Sequence, residues 1–179
     1  MNWKKQKNNY LIFYKISCRL ARLPAFKRYL HLLCISLFTY SCTTVGLYER
    51  TAIIPKQQWQ STFHPTFTFT IQDTNSLYNI YITIRHTDMY AYNNIWINVG
   101  TAPPNDSIKY QALNLILANN TTGWFGTGMD DIFEHRVRIT KTPMLLKKGL
   151  YTFVLAPLMR VDPLPHILNI GIRLEKVNA

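Results

Sequence analysis

From residue 66 onwards, apolar and polar side chains alternate repeatedly with a period of two, and this pattern constrains the fold more than any other feature of the sequence. In 66–71, phenylalanine and isoleucine alternate with threonine. The same alternation recurs at 80–85, 95–99, 113–117, 133–139, 151–156 and 170–175. Because successive side chains of a strand point to opposite faces of a sheet, each segment is predicted to be a strand buried on one side.

Together with a further strand near the start of the domain, these segments make about eight strands of ordinary length. Turn-forming residues separate them, for example at 73–76 and 162–165, and no convincing amphipathic helix follows residue 42. Two packed sheets are the simplest way to bury one face of every strand. The sequence therefore predicts an all-β fold, an antiparallel β-sandwich of about eight strands, preceded by an N-terminal signal peptide helix.

The signal peptide is predicted from the apolar stretch 29–41, which follows a basic segment and ends at Ser41, immediately before Cys42. This order is typical of a lipoprotein signal peptide. The Cys42 thiol would be alkylated with diacylglycerol, and the small Ser41 would fit the protease that frees Cys42. A plain signal peptide or an N-terminal anchor with an incidental cysteine is the alternative. We expect a signal peptide over 1–41, a tether over 42–61 and the β-sandwich domain over 62–179.

The distribution of charge agrees with this division. The chain has a net charge of +11, but eight of its twenty basic residues precede Cys42 and none of its nine acids do, so the remainder carries +3. A basic leader stays on the cytoplasmic side during export. The charge therefore gives no reason to expect a nucleic-acid partner. Cys18 and Cys34 also precede Cys42, so no disulfide is expected within the mature chain.

Several segments, taken in order, resemble a known family. They lie at 78–86, 90–96, 123–132, 149–153, 159–160 and 169–175. Together they resemble the gliding-motility lipoprotein family GldH of Bacteroidota, over about 47–176. The resemblance implies a lipoprotein that is associated with surface gliding in some members of the family. It places the lipidated cysteine at Cys42 and implies no catalytic residue.

The glycine-rich segment 123–131 is the most unusual connection between predicted strands. Three glycines within six residues allow backbone conformations that other residues enter only at a cost, and they flank Trp124 and Phe125. The segment lacks the Gly-Lys-Ser/Thr ending of a phosphate-binding loop. A packed corner is one interpretation, and rings that stack on a sugar or a partner protein are the other.

A second aromatic connection lies at 86–94, which is polar and contains Tyr90 and Tyr92. Since these rings look exposed, we predict a partner-binding surface formed by Tyr90, Tyr92, Trp124 and Phe125.

The sequence gives little evidence for a metal site or a catalytic site. Asp130, Asp131 and Glu134 are close in sequence but do not match a helical calcium loop, so solvated turn acids are expected. The histidines after residue 42 are scattered and lack the paired spacing of a zinc site. No nucleophile motif is present. Arg85 and Arg160 are interpreted either as partners of these acids across the sheet or as ordinary surface cations.

We therefore expect no metal, no cofactor and no catalytic residue, and a protein that is not an enzyme. The expected partners are the membrane, through the lipid anchor, and unidentified envelope proteins of a motility or secretion assembly. Since Thr43-Thr44-Val45-Gly46 carries no acid after Cys42, we expect an outer-membrane lipoprotein that faces the periplasm. The alternative function is a glycan-binding β-sandwich lipoprotein.

Overall fold

A computed structural model describes residues 47–177. This part of the chain is built from strands, with one short 3-10 turn at Pro55–Gln57. The strands are β1 (Leu47–Ile53), β2 (Gln58–Trp59), β3 (Thr66–Ile71), β4 (Leu77–Thr87), β5 (Asn94–Ala102), β6 (Lys109–Ile116), β7 (Ala118–Asn119), β8 (Gly123–Trp124), β9 (Thr127–Met129), β10 (Ile132–Arg138), β11 (Met144–Leu145), β12 (Gly149–Pro157), β13 (Leu164–Pro165) and β14 (Ile167–Val177). Eight of these strands contain six residues or more.

The strands form two main antiparallel sheets. Sheet 1 has the order β1-β14-β4-β10-β9, and β11 pairs with β4 beside it. Sheet 2 has the order β3-β12-β5-β6. Two short ladders, β13 with β2 and β7 with β8, complete the pairing. The predicted all-β antiparallel sandwich is confirmed.

The core lies between the two sheets and is filled by the apolar members of the alternating segments. Ile82, Ile84 and Ile172 of sheet 1 and Ile97 and Leu155 of sheet 2 are all fully buried. The burial of β3 alternates from residue to residue along its whole length, as the threonine and aromatic alternation requires. Across the sheets, the ring of Tyr48 in β1 lies 5.1 Å from that of Phe69 in β3.

The structure corrects one part of the predicted domain division. We expected a tether over 42–61, but Leu47–Ile53 is a strand that pairs with β14 along its full length. Its alternation is hard to see in the sequence because Arg50 and Ala52 occupy the positions opposite Ile172 and Ile170 of β14, on the side of the sheet where those two isoleucines are buried. The signal peptide over 1–41 and the lipidation of Cys42 lie outside the described residues and remain predictions.

Candidate functional site

The two aromatic connections that the sequence singles out lie side by side in the structure. The backbone N–H of Asp88 donates to the carbonyl of Asp131 at 2.8 Å, which joins the connection between β4 and β5 to the loop between β9 and β10. The rings of Tyr90 and Trp124 are 6.3 Å apart. The backbone N–H of Phe125 donates to the carbonyl of Leu117 at 2.8 Å, which fixes the glycine-rich segment against the end of sheet 2.

Two of the four predicted contact residues nevertheless point inward. Tyr90 is only 3 % exposed, and its hydroxyl donates to the carbonyl of Asn94 at 3.0 Å. Trp124 is half-buried, and its ring lies 4.3 Å from the ring of His86. The expectation that these rings are exposed is therefore wrong for Tyr90. Tyr92 is half-buried and Phe125 is 58 % exposed, so these two side chains keep an accessible surface.

The inward rings cover a pair of buried histidines that the sequence analysis did not connect. His86 of β4 and His135 of β10 have their Nε2 atoms 2.9 Å apart, and both side chains are buried. The residues are 49 positions apart in the sequence, and only the pairing of β4 with β10 brings them together. A contact of this kind leaves no signal in local periodicity.

Hydrogen bonding fixes the neutral tautomers of this pair. The Nδ1 of His86 lies 2.7 Å from the carbonyl of Thr87. Since a carbonyl only accepts, Nδ1 of His86 carries the proton, and its Nε2 accepts from Nε2–H of His135. Burial, and then the neighbouring His86, lower the pKa of His135 to about 4. Burial also lowers the pKa of His86. The pair is neutral at pH 7 and has the character of a packed structural contact.

A groove opens on the outer side of sheet 1, beside the glycine-rich segment. We call it the arginine groove. It has a volume of about 600 Å³ and is lined by Arg85, Phe125, Gly126, Thr127, Met129, Ile132, Glu134 and Arg136. Arg136 donates to Glu134 from Nε and Nη2 at 3.1 and 2.9 Å. Arg85 lies directly opposite Glu134 in the β4–β10 register, yet among residues 47–177 it makes no ion pair. The cross-strand pairing considered for Arg85 is therefore not formed.

The outer side of sheet 2 has the opposite character, and we call it the uncharged face. Its outward positions carry Thr66, Thr68 and Thr70 of β3, Leu150, Thr152, Val154 and Ala156 of β12, Asn94, Trp96, Asn98, Gly100 and Ala102 of β5, and Tyr110, Ala112, Asn114 and Ile116 of β6. None of these residues is charged. Trp96, Tyr110 and Ile116 are 42 %, 57 % and 50 % exposed.

The uncharged face ends at β6, whose outer edge pairs with no other described strand. At the N-terminal end of β5, the face continues into a second groove of about 610 Å³. This groove is lined by Tyr92, Asn94, Trp96, Leu158, Met159, Arg160 and Val161. Tyr92, one of the predicted contact residues, thus lies next to the uncharged face, whereas Phe125 lies in the arginine groove.

The described residues contain no cluster suited to a metal ion. Between residues 47 and 177, no three His, Cys, Asp or Glu side chains are grouped so that they could hold one. Glu134, one of the three acids considered for calcium, is instead paired with Arg136. Over the same part of the chain, no helix is long and apolar enough to cross a membrane.

Comparison with known proteins identifies relatives over most of the chain. The chain is similar to the gliding motility lipoprotein GldH of Flavobacterium johnsoniae, with 23 % identity over 152 residues that cover 81 % of this chain and 94 % of the relative. It is also similar to the gliding motility lipoprotein GldH homolog of Christiangramia forsetii, with 23 % identity over 159 residues that cover 85 % and 96 % of the two chains.

Among solved structures, the chain is similar to dimeric latent PorU from Porphyromonas gingivalis, with a TM-score of 0.31 and 10 % identity. The match covers 73 % of this chain but only 13 % of that one, and a likeness this weak supports no further argument.

The family model described as GldH lipoprotein matches residues 46–174, which span the long strands of both sheets except for the last three residues of β14. This match and the two relatives confirm the resemblance seen in the sequence. The chain belongs to the GldH lipoprotein family.

Proposed function

We propose that this protein is a non-catalytic component of gliding-motility or envelope machinery that acts through contacts with other envelope proteins. The relatives are named as gliding motility lipoproteins, which supports the association with motility. The observation that carries the contact mechanism is the uncharged face of sheet 2, which ends at β6, the edge strand that no further described strand pairs with.

Such a face is unusual for a surface that meets only water. Soluble domains normally intersperse charges over their surfaces, and exposed sheet edges are commonly blocked by charges, prolines or bulges. The eight residues of β6 contain one charged residue, Lys109, at the first position. Aromatic side chains such as Trp96 and Tyr110, together with depletion of charge, are characteristic of the centres of protein interfaces. The face is therefore suited to pack against a partner protein.

The buried histidines support a non-catalytic role. His86 and His135 are close enough to share a proton, with their Nε2 atoms 2.9 Å apart, but they lie under the rings of Trp124 and Phe133. A substrate has no access to a pair that is buried in this way.

A lipid on Cys42 would hold the domain at a membrane. Each buried CH₂ of an acyl chain contributes about 0.8 kcal/mol, so two or three chains suffice for a stable anchor. Anchoring raises the local concentration of the domain, so modest contacts are enough for assembly. We place the protein in the outer membrane, facing the periplasm. Protease treatment should then digest it only after the cells are permeabilised, and ready digestion on intact cells would contradict this orientation.

Affinity purification from native cells tests the contact mechanism. Trp96→Lys and Ile116→Lys each put a charge on the uncharged face, and both should lose the co-purified envelope proteins. Gln58→Lys adds the same charge at an exposed position of β2 and should retain them. Unchanged partners for folded Trp96→Lys and Ile116→Lys, or a Trp96-dependent signal on a glycan array, would contradict the proposal.

A further inference from the structure

We infer that the arginine groove binds a segment of a partner protein that presents a carboxylate beside an apolar side chain. The inference rests on the proposed function in one respect, namely that the occupant is a protein. It concerns the opposite side of the sandwich from the uncharged face, and it assigns a ligand chemistry to that side.

The first argument is the charge of Arg85. Its cross-strand neighbour Glu134 is already bonded by two nitrogens of Arg136. Within residues 47–177, Arg85 has no ion pair, and its Nε is buried without a hydrogen-bond partner. A guanidinium matches a carboxylate through two parallel N–H···O bonds, and these are among the stronger hydrogen bonds in proteins. An incoming carboxylate would therefore meet a half-buried cation that no acid of the described residues neutralises.

The second argument is that the buried polar atoms without a partner are all on one side of β4, the strand that carries Arg85. Buried polar side-chain atoms normally have a hydrogen-bond partner. In the described part of the chain, the atoms without one are Thr83 Oγ1, Arg85 Nε and Thr87 Oγ1. These are alternate residues of β4, and all three lie on the outward side of sheet 1, since Ile82, Ile84 and His86 fill the core. Of the three residues, Arg85 lines the arginine groove, so the unsatisfied Nε belongs to the side chain that an occupant of the groove would meet.

The third argument comes from the rest of the lining. Phe125 is 58 % exposed and Met129 is 73 % exposed, and Ile132 lies between β9 and the end of β4. These side chains provide an apolar wall beside the cation. Glu134 adds one negative charge to the groove, which opposes a multiply charged group such as a phosphate. A single carboxylate next to an apolar side chain fits both features.

The wall is held in place by close packing of the glycine-rich segment. A Cβ on Gly126 would come within 2.4 Å of the carbonyl oxygen of Glu134, so the backbone at this position approaches β10 more closely than any other residue would allow. The shape of the groove is therefore largely formed before a ligand arrives.

The test uses a phage-displayed library of random dodecapeptides, panned on the detergent-solubilised protein purified from membranes. Panning enriches those random peptides that bind the protein, so no natural ligand needs to be known. Wild type should enrich peptides with Asp or Glu next to an apolar residue. Replacing the acid by its amide in the synthetic peptides should weaken binding by about tenfold in fluorescence anisotropy.

Three variants test whether the acidic peptides bind in the arginine groove. Arg85→Gln should remove the preference for the acid, whereas Lys148→Gln, which removes the same charge from an exposed turn before β12, should retain it. Glu134→Gln should strengthen binding of the acidic peptides by about threefold, because it removes a like charge and releases Arg136. This gain provides a readout that does not depend on Arg85→Gln, whose folding is checked by circular dichroism.

The inference is overturned if wild type enriches no acidic peptides, or if they bind Arg85→Gln as tightly as wild type. Either result leaves the partners captured through Trp96 and Ile116 unaffected, so it is distinguishable from failure of the proposed function.

Discussion

His86 and His135 meet across the β4–β10 ladder with their Nε2 atoms 2.9 Å apart, and Thr87 fixes the tautomers by accepting from Nδ1 of His86. The rings of Tyr90, Trp124 and Phe133 surround the pair. No acid of the described chain forms an ion pair with either histidine. The sandwich therefore holds two titratable groups in a form that resists protonation.

Stability should fall as the pH is lowered from about 6.5 towards 4. The folded-state pKa of His135 is about 4, below the ordinary value of 6.5, so in this window the unfolded chain binds more protons than the folded one. The loss from His135 should be on the order of 2–3 kcal/mol at pH 4. Asp73, Asp106 and Asp162 also have lowered pKa values. Their contribution to the free energy of unfolding is present above pH 3.8, the ordinary pKa of aspartate, and is lost as the pH falls from 3.8 towards their lower folded-state pKa values. Urea denaturation from pH 7.5 to 4 measures the slope.

The histidine pair should behave as a coupled unit. His135→Leu leaves Nε2 of His86 as a buried acceptor without its donor, which should cost about 1–3 kcal/mol at pH 7. The double variant His86→Leu and His135→Leu removes both groups, and it should cost less than the sum of the two single changes. It should also flatten the dependence on pH between 6.5 and 4. Additive effects and an unchanged slope would mean that the pair does not act as described.

Gly171, in sheet 1, should tolerate one added methyl group less well than Gly123, in the short strand β8. A Cβ on Gly171 of β14 would lie 2.4 Å from the backbone oxygen of Arg50 and 2.6 Å from Oγ1 of Thr83, so Gly171→Ala should destabilise by about 1–3 kcal/mol and loosen β1. Gly123 has a φ of 77° but nothing within 4 Å of its Cβ position, so Gly123→Ala should cost about 1 kcal/mol. Comparable unfolding midpoints for the two variants would contradict this assignment.

Acylation should require Cys42 and neither of the earlier cysteines. Mass spectrometry of the native protein should find an amino terminus at Cys42 that carries acyl chains, and Cys42→Ser should move the protein from the membrane fraction to the soluble fraction. Cys34→Ser lies within the predicted signal peptide and should leave both properties unchanged. An intact, unacylated N-terminal segment in the native protein would show that the predicted leader is retained.

The sequence predicts the strands much better than it predicts their contacts. Period-two alternation is local, so segments such as 66–71 and 170–175 can be recognised without knowing which strand lies beside them. The order of the strands and the contact of His86 with His135 depend on pairing between distant segments, for which one sequence carries no signal. Tyr90 was expected to be exposed because its neighbours in sequence are polar, yet the turn after β4 directs its ring into the core.

The same limit applies to the candidate surfaces. Trp96 and Asn98 could be predicted to lie on one side of β5, but the uncharged face appears only when four strands are placed in order. The sequence suggests Arg85 as a partner for an acid, but its cross-strand neighbour Glu134 forms its ion pair with Arg136 on the same strand.

Site-specific photo-cross-linking in living cells tests the central claim most directly. A photoreactive amino acid at Asn114 or Ile116, on the uncharged face of β6, should yield discrete cross-links to envelope proteins. The same probe at Gln58, which is exposed on β2, should yield none of these products. If Asn114 and Ile116 give no products, or only those also formed from Gln58, the uncharged face is not the surface through which this protein acts.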